Sequence, residues 1–167
     1  MISTSEPDWS REKPRRLWDP SRRLLGAIRR YQKYTQKQGI FALFITKLVV
    51  LQHRFWSVIT GADIPLTSKL GGGLLIPHPN GIVIHPDSVI GVNCLIHQQV
   101  TIGVKRGSGK PPVIEGHVDI GAGAKIIGPI LIESDALIGA NSVVVKDVPA
   151  GSIVAGIPAT IIGTTRN

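Results

Sequence analysis

The chain has 167 residues, of which 43% are hydrophobic and 18% charged. That is room for one packed domain with an appended segment, and it excludes an intrinsically disordered chain. Aromatics are only 5% against 19 glycines and 12 prolines, a balance that argues against a helical bundle and for many short strands with tight corners. The single cysteine, Cys94, excludes a disulfide framework or a multi-cysteine zinc site and is most simply a small buried hydrophobe. The formal charge of +8 is unevenly spread: residues 1–60 hold 12 Lys and Arg against 4 Asp and Glu, and residues 61–167 hold 7 of each. A neutral domain therefore carries a basic N-terminal extension.

In chain order, residues 1–20 contain three prolines, mixed charges and no apolar period, and are expected to form a disordered basic tail. They lack the apolar run of a secretory signal. Asp19-Pro20-Ser21 is a helix-start signature, so residues 22–38 are predicted as a basic helix that Gly39 breaks. Residues 40–59 are predicted as a second helix, with Phe41, Phe44, Leu48, Leu51 and Phe55 in its apolar set. Its length approaches that of a membrane span, but Lys47, Gln52, His53 and Arg54 interrupt it, at about 2.5–3.5 kcal/mol for each cation near the bilayer centre. Two roles fit residues 21–60 better. One is packing on the domain or on a neighbouring subunit; the other is a peripheral contact with anionic lipid at the inner face of the cell membrane, for a protein otherwise expected in the cytoplasm. No nucleic-acid motif accompanies the basic cluster, and no nucleic-acid partner is expected.

From Ile64 onward aliphatic residues recur every six: Ile64, Leu70 and Ile76; then Ile84, Ile90, Ile96 and Ile102; then Ile114, Ile120, Ile126, Ile132, Ile138 and Val144. Four positions after each, the residue is usually small or β-branched, as at Ser68, Ser88, Cys94, Val100, Ala124, Ala136, Ser142 and Val148. A locked period of six predicts a parallel β-helix, with the aliphatic pointing into a three-sided prism and the small residue at the corner. A sandwich would show turns every 8–12 residues instead. The phase slips by two across His78-Pro79-Asn80-Gly81. Residues 104–112, Val104-Lys105-Arg106-Gly107-Ser108-Gly109-Lys110-Pro111-Pro112, form a projecting loop after which the period resumes. Such departures from a scaffold are where function tends to sit.

The hexapeptide repeats, the projecting loop and Val154-Ala155-Gly156-Ile157-Pro158-Ala159 resemble the left-handed β-helix acetyltransferases. Ala62-Asp63-Ile64-Pro65, Ile76-Pro77-His78-Pro79-Asn80-Gly81, Val100-Thr101-Ile102-Gly103 and Ile120-Gly121-Ala122-Gly123-Ala124-Lys125 bring the likeness closest to serine O-acetyltransferase and to the short serine-acetyltransferase-like enzymes of exopolysaccharide clusters, such as the colanic acid acetyltransferases. The likeness covers residues 61–163, leaving 164–167 as a tail. It implies an all-β left-handed parallel β-helix with an N-terminal helical extension, a homotrimer, and direct transfer of acetyl from acetyl-CoA to an acceptor hydroxyl. It places His78 as general base, a task suited to an imidazole, and Asp63 as the carboxylate that orients it. His97 is a second candidate, as an acceptor or oxyanion contact. Gly103, Val104, Ala122, Lys125 and Ala140 match cofactor-binding positions, and Lys105, Arg106 and Lys110 could favour CoA phosphates by charge. His85 and His117 are expected as surface corner residues. No metal is expected, because the spacing of two zinc-binding histidines fails at Ala122.

The departures concern the acceptor. Where serine acetyltransferase has an aspartate before its catalytic histidine, this chain has Pro77. Where that family has an Arg-His pair in the projecting loop, it has Lys110-Pro111. The family's large N-terminal helical domain, which adds an acidic serine contact, is replaced by about 60 basic residues. An ammonium group would find no evident carboxylate, which disfavours a free amino acid. The expected acceptor is therefore a sugar of an exopolysaccharide or its precursor, with serine as the alternative. A non-catalytic trimeric assembly module is the alternative of another class.

Overall fold

The computed structural model describes residues 2–165. The six-residue repeat builds a three-sided parallel β-helix. One side is β1 (Lys69–Leu70), β3 (Val89–Ile90), β6 (Val113–Ile114) and β9 (Leu131–Ile132); another is β2 (Val83–Ile84), β5 (Thr101–Gly103), β8 (Lys125–Ile127) and β11 (Val143–Val144). The third is β4 (Leu95–Ile96), β7 (Asp119–Ile120), β10 (Leu137–Ile138), β12 (Ser152–Gly156) and β13 (Ala159–Thr164). Every aliphatic of the repeat is buried, at 9% exposure or less. All eight corner residues predicted to be small are buried as well. Cys94 is one of them, and burial pushes its thiol up to about 11, so it stays protonated and inert.

Coil lengths locate the two insertions. Leu75 pairs with Leu95, 20 residues on, but Val83 pairs with Thr101, 18 on. The two extra residues therefore lie between Leu75 and Val83, in the turn that carries His78. Thr101 pairs with Lys125, 24 on, while Lys125 pairs with Val143, 18 on. The six extra residues fall in the loop that runs from the end of β5 to Val113, as predicted. Both insertions leave the prism without disturbing the inward aliphatics.

The helices are α1 (Pro20–Thr35) and α2 (Ile40–Thr60). Helix α1 starts two residues earlier than predicted, with Pro20 in its first turn, and ends three earlier, at Thr35. It buries Leu24, Leu25, Ala27 and Ile28 in one core with Trp56 of α2 and Ala62 and Ile64 of the first coil. Helix α2 is long and apolar enough to cross a membrane, yet Ala42, Val49, Trp56 and Thr60 line a packed face, and His53 Nε2 donates to the Ile64 carbonyl at 2.9 Å. At the other end the chain folds back as the antiparallel pair β12 and β13.

Residues 2–19 are not the disordered tail that their composition suggests. They form a strap across the first coils, including a 3-10 turn at Trp9–Glu12. Asn93, fully buried, accepts from the Asp8 N–H at 2.8 Å and donates to the Ser3 and Glu6 carbonyls at 2.8 and 2.7 Å. Glu12, 8% exposed, takes both prongs of Arg29, at 2.8 and 3.0 Å, and the Leu74 N–H at 3.1 Å. Arg29 also donates to the Leu70 and Gly71 carbonyls at 2.6 Å each and lies 5.2 Å over the Trp9 ring. The strap passes so close that a Cβ at Gly116 would run into the Thr4 carbonyl. Its partners are polar groups at the coil edges, which leave no apolar period in the strap itself. The predicted tail at 164–167 is also partly ordered: Thr164 ends β13 and the Thr165 N–H donates to the Gly151 carbonyl. Residues 166–167 lie outside the described chain.

Candidate active site

The two extra residues of the His78 turn push that turn outward. Ile96 N–H bonds to the Leu75 carbonyl and Gln99 N–H to the Asn80 carbonyl, both at 2.9 Å, so Pro77 falls in register beneath His97 and the excess chain bulges at His78-Pro79. His78 is exposed. Asp63 lies in the preceding coil, in register with Val83; its N–H donates to the Ile82 carbonyl at 2.8 Å and Gly81 N–H donates to the Gly61 carbonyl at 2.9 Å. The segments carrying His78 and Asp63 therefore run side by side at one edge of the prism. Both side chains are exposed and neither makes a hydrogen bond among the described residues. Gly61 ends α2 at φ +65°, a left-handed conformation that favours glycine, and so turns the chain from the helix into the segment that carries Asp63.

His78 opens onto a cleft of about 580 Å³. One wall is the turn Pro77-His78-Pro79-Asn80 and the end of α2 at Ile59 and Thr60. The N-terminal segment supplies the rest of the lining: Arg15, Arg16, Trp18, Asp19, Pro20, Ser21 and Arg22. Asp19 is bound within that segment. Burial would raise its carboxyl, but the Arg15 backbone N–H and the Arg22 guanidinium outweigh burial and hold it below the usual carboxylate range. Arg22 reaches it at 3.3 Å. Arg15 and Arg16 are exposed, and neither guanidinium makes an ion pair or hydrogen bond among the described residues. Sequence reasoning missed this part of the lining. The helix-start signature at Asp19-Pro20-Ser21 was the one hint that the chain turns there.

A second cleft, about 950 Å³, lies where the projecting loop meets the prism. Lys105, Arg106, Gly107 and Ser108 line one side, and Ile127, Pro129, Ile130, Val145, Lys146 and Asp147 the other. The structure divides the predicted cofactor positions between the two edges of one sheet. Gly103 is in register with Ile127, and Val104 leads into the loop, both beside this cleft. Ala122, Lys125 and Ala140 stand at the opposite corner, where Asn141 N–H bonds to the Ala122 carbonyl. Lys125 Nζ is committed there to the Gln99 carbonyl at 2.5 Å. Lys146 is a cation at this cleft that the sequence reading did not single out, and Lys110 is not in its lining.

The remaining histidines separate. His97 is half-buried beside Pro77, next to the His78 turn. His85 accepts from the Asp87 N–H at 3.3 Å within its own turn. His117 is not the free corner residue expected: it is half-buried at φ +57°, and its Nδ1 pairs with Asp135 at 2.8 Å. Among the described residues no group of three His, Cys, Asp or Glu could hold a metal ion.

No protein-family model matches the chain. A serine acetyltransferase of Mycobacterium tuberculosis is 40% identical over 117 residues, 67% of this chain and 50% of that protein. Among solved structures, serine acetyltransferase from Brucella abortus in complex with coenzyme A superposes with a TM-score of 0.76 at 34% identity, covering 89% of this chain and 58% of that one. Serine acetyltransferase from Neisseria gonorrhoeae in complex with serine gives 0.71 at 35%, covering 86% and 57%. The chain spans about half the length of the curated relatives it matches. The chain carries the left-handed hexapeptide-repeat β-helix of the serine acetyltransferases, together with the helical N-terminal part that packs on its first coils.

Proposed function

We propose that this protein is an acetyl-CoA-dependent O-acetyltransferase in which His78 is the general base and Asp63 orients its imidazole. The observation that carries this reading is the extruded His78 turn lying beside the Asp63 segment at the mouth of a cleft, on a fold whose solved relatives include a coenzyme A complex. The acceptor hydroxyl gives its proton to His78 as its oxygen attacks the thioester carbonyl carbon. The tetrahedral intermediate then collapses, the C–S bond breaks, and the leaving CoA thiolate recovers the proton from the imidazolium. Asp63 steadies the imidazolium as a triad carboxylate does. His97, beside the same turn, is the candidate contact for the oxyanion or acceptor. Lys105, Arg106 and Lys146 offer charge for CoA phosphates at the loop cleft, with Gly103 and Val104 beside it and Ala122, Lys125 and Ala140 along the same sheet.

The acceptor in this reading is a saccharide hydroxyl. The one carboxylate in the acceptor cleft wall, Asp19, is already paired, which leaves little for an ammonium group. L-serine is the second reading, favoured by the names of the relatives. The enzyme works as a homotrimer, for which the exposed Ile157, Ile161 and Ile162 of the C-terminal hairpin supply apolar contact surface. It also lies against the inner face of the membrane through α2. Release of CoA thiol from acetyl-CoA, with L-serine and with a panel of saccharides, tests the core of the proposal. His78→Ala should lower turnover by about 10²–10⁴-fold while acetyl-CoA binding persists. Unchanged turnover in that variant would reject His78 as the base, and a protein that neither binds acetyl-CoA nor releases thiol would be a structural β-helix.

A further inference from the structure

The N-terminal segment shares a cleft lining with His78, and its chemistry is specific. Arg15 and Arg16 are exposed there, and neither guanidinium has a partner among the described residues. Asp19, the only carboxylate among the described lining residues, is bound by the Arg22 guanidinium and by the Arg15 backbone N–H. Trp18 adds an aromatic face. It is 62% exposed, and its ring is held edge-on to Trp56 at 5.4 Å, with Trp56 itself buried in the core. The cleft thus combines surplus positive charge, a fixed ring and the proposed base within about 580 Å³.

We infer that the acceptor is an anionic saccharide, bearing a carboxylate or a phosphate, whose charge is read by Arg15 and Arg16 while its ring packs on Trp18. The physical reasons are direct. A guanidinium matches a carboxylate or phosphate with two parallel N–H bonds. Unpaired arginines at a cleft mouth also steer anions toward it. A neutral sugar would leave both arginines without a partner, and a free amino acid, whose carboxylate they could pair, would also bring an ammonium group that finds no unpaired carboxylate in the described lining. The inference deepens the acetyltransferase reading and depends on it only for what happens after binding.

Binding and turnover therefore need separate measurement. By calorimetry at low salt, methyl glucuronide and glucose 1-phosphate should each bind about 10–100-fold more tightly than methyl glucoside, the range expected for one charge-assisted pair. Arg15→Gln/Arg16→Gln should erase that preference, and Lys69→Gln, outside the cleft, should keep it. Both guanidiniums are exposed and make no bond among the described residues, and the Arg15 N–H that binds Asp19 is backbone, so the double variant removes no described side-chain contact. The tighter of the two anions identifies the charged group. Equal affinity for the glucoside and the anions, or a preference that survives in the arginine variant, would overturn the inference, as would L-serine binding more tightly than all three sugars. In parallel, CoA-thiol release is measured with the same acceptors. An arginine-dependent anion preference without thiol release from any acceptor would uphold the binding site and reject the catalytic reading.

Discussion

At the scale of single residues, Asp119 is a useful probe because its carboxyl is half-buried on the third side of the prism. Burial raises its carboxyl above the ordinary value, although His117, Arg11 and His97 pull it back in part. The folded chain therefore holds a proton there that the unfolded chain has released, and stability falls as pH rises from about 3.8 through the raised value. Asp119→Asn should raise the melting temperature at pH 7, with the gain shrinking toward zero as the medium is acidified below that window. Thermal melts across pH check this, and a gain that is the same at every pH would contradict it. His78 was legible in the sequence because it stands at a break in a strict period; Asp63 and His97 were candidates only through the resemblance to the left-handed β-helix acetyltransferases. Arg15, Arg16 and Trp18 were not: they lie far from His78 in sequence, in a segment without period, and only the packing of α1 on the first coil brings them into its cleft.

At the scale of elements, the β-helix was legible almost to the residue, since one inward aliphatic every six positions leaves no other regular solution. The strap was misread because it is held by side chains that reach backbone groups of distant coils, and composition carries no trace of such bonds. Arg29 and Glu12 are its central clasp. Arg29→Met would leave Glu12 buried with a single N–H partner, Leu74, where before it had the bidentate guanidinium. Scaled from buried ion pairs broken on one side, the loss should be about 2–4 kcal/mol, a fall of roughly 5–15 °C in melting temperature for a chain of this size. Limited proteolysis should then cut ahead of α1 before it cuts the prism. A variant that keeps both its melting point and its resistance to protease would show that the clasp contributes little.

At the scale of the whole molecule, the charge split seen in the sequence becomes a spatial one. Helix α2 packs on the core through Ala42, Val49 and Trp56, and on the other side exposes Ile40, Phe44, Leu48, Leu51, Phe55 and Val58. These six recur at helical spacing along one stripe, with Lys47 and Arg54 along its border, the pattern of a helix lying in an anionic lipid interface. Phe44→Glu/Leu51→Glu should abolish flotation with vesicles containing phosphatidylglycerol while thiol release from acetyl-CoA with a soluble acceptor continues. Equal flotation of both proteins would remove lipid from the proposal. Point variants are the right tool because deleting residues 1–38 would remove the strap, α1 and one wall of the His78 cleft together.

That shared removal has a wider bearing. The segment that packs on the first coil also lines the cleft of the proposed base, so in the proposed reading cap and selector are inherited as one piece. The loop cleft and the repeats are encoded entirely downstream of it. A lineage could exchange the codons for residues 1–60 and change which molecule it modifies while keeping the proposed acetyl-donor machinery intact, provided the new segment still seals the first coil. Descent with a constant donor half and a replaceable acceptor half would leave relatives that agree from Gly61 onward and diverge before it, and family trees drawn from the repeats alone would say little about what each member acts upon.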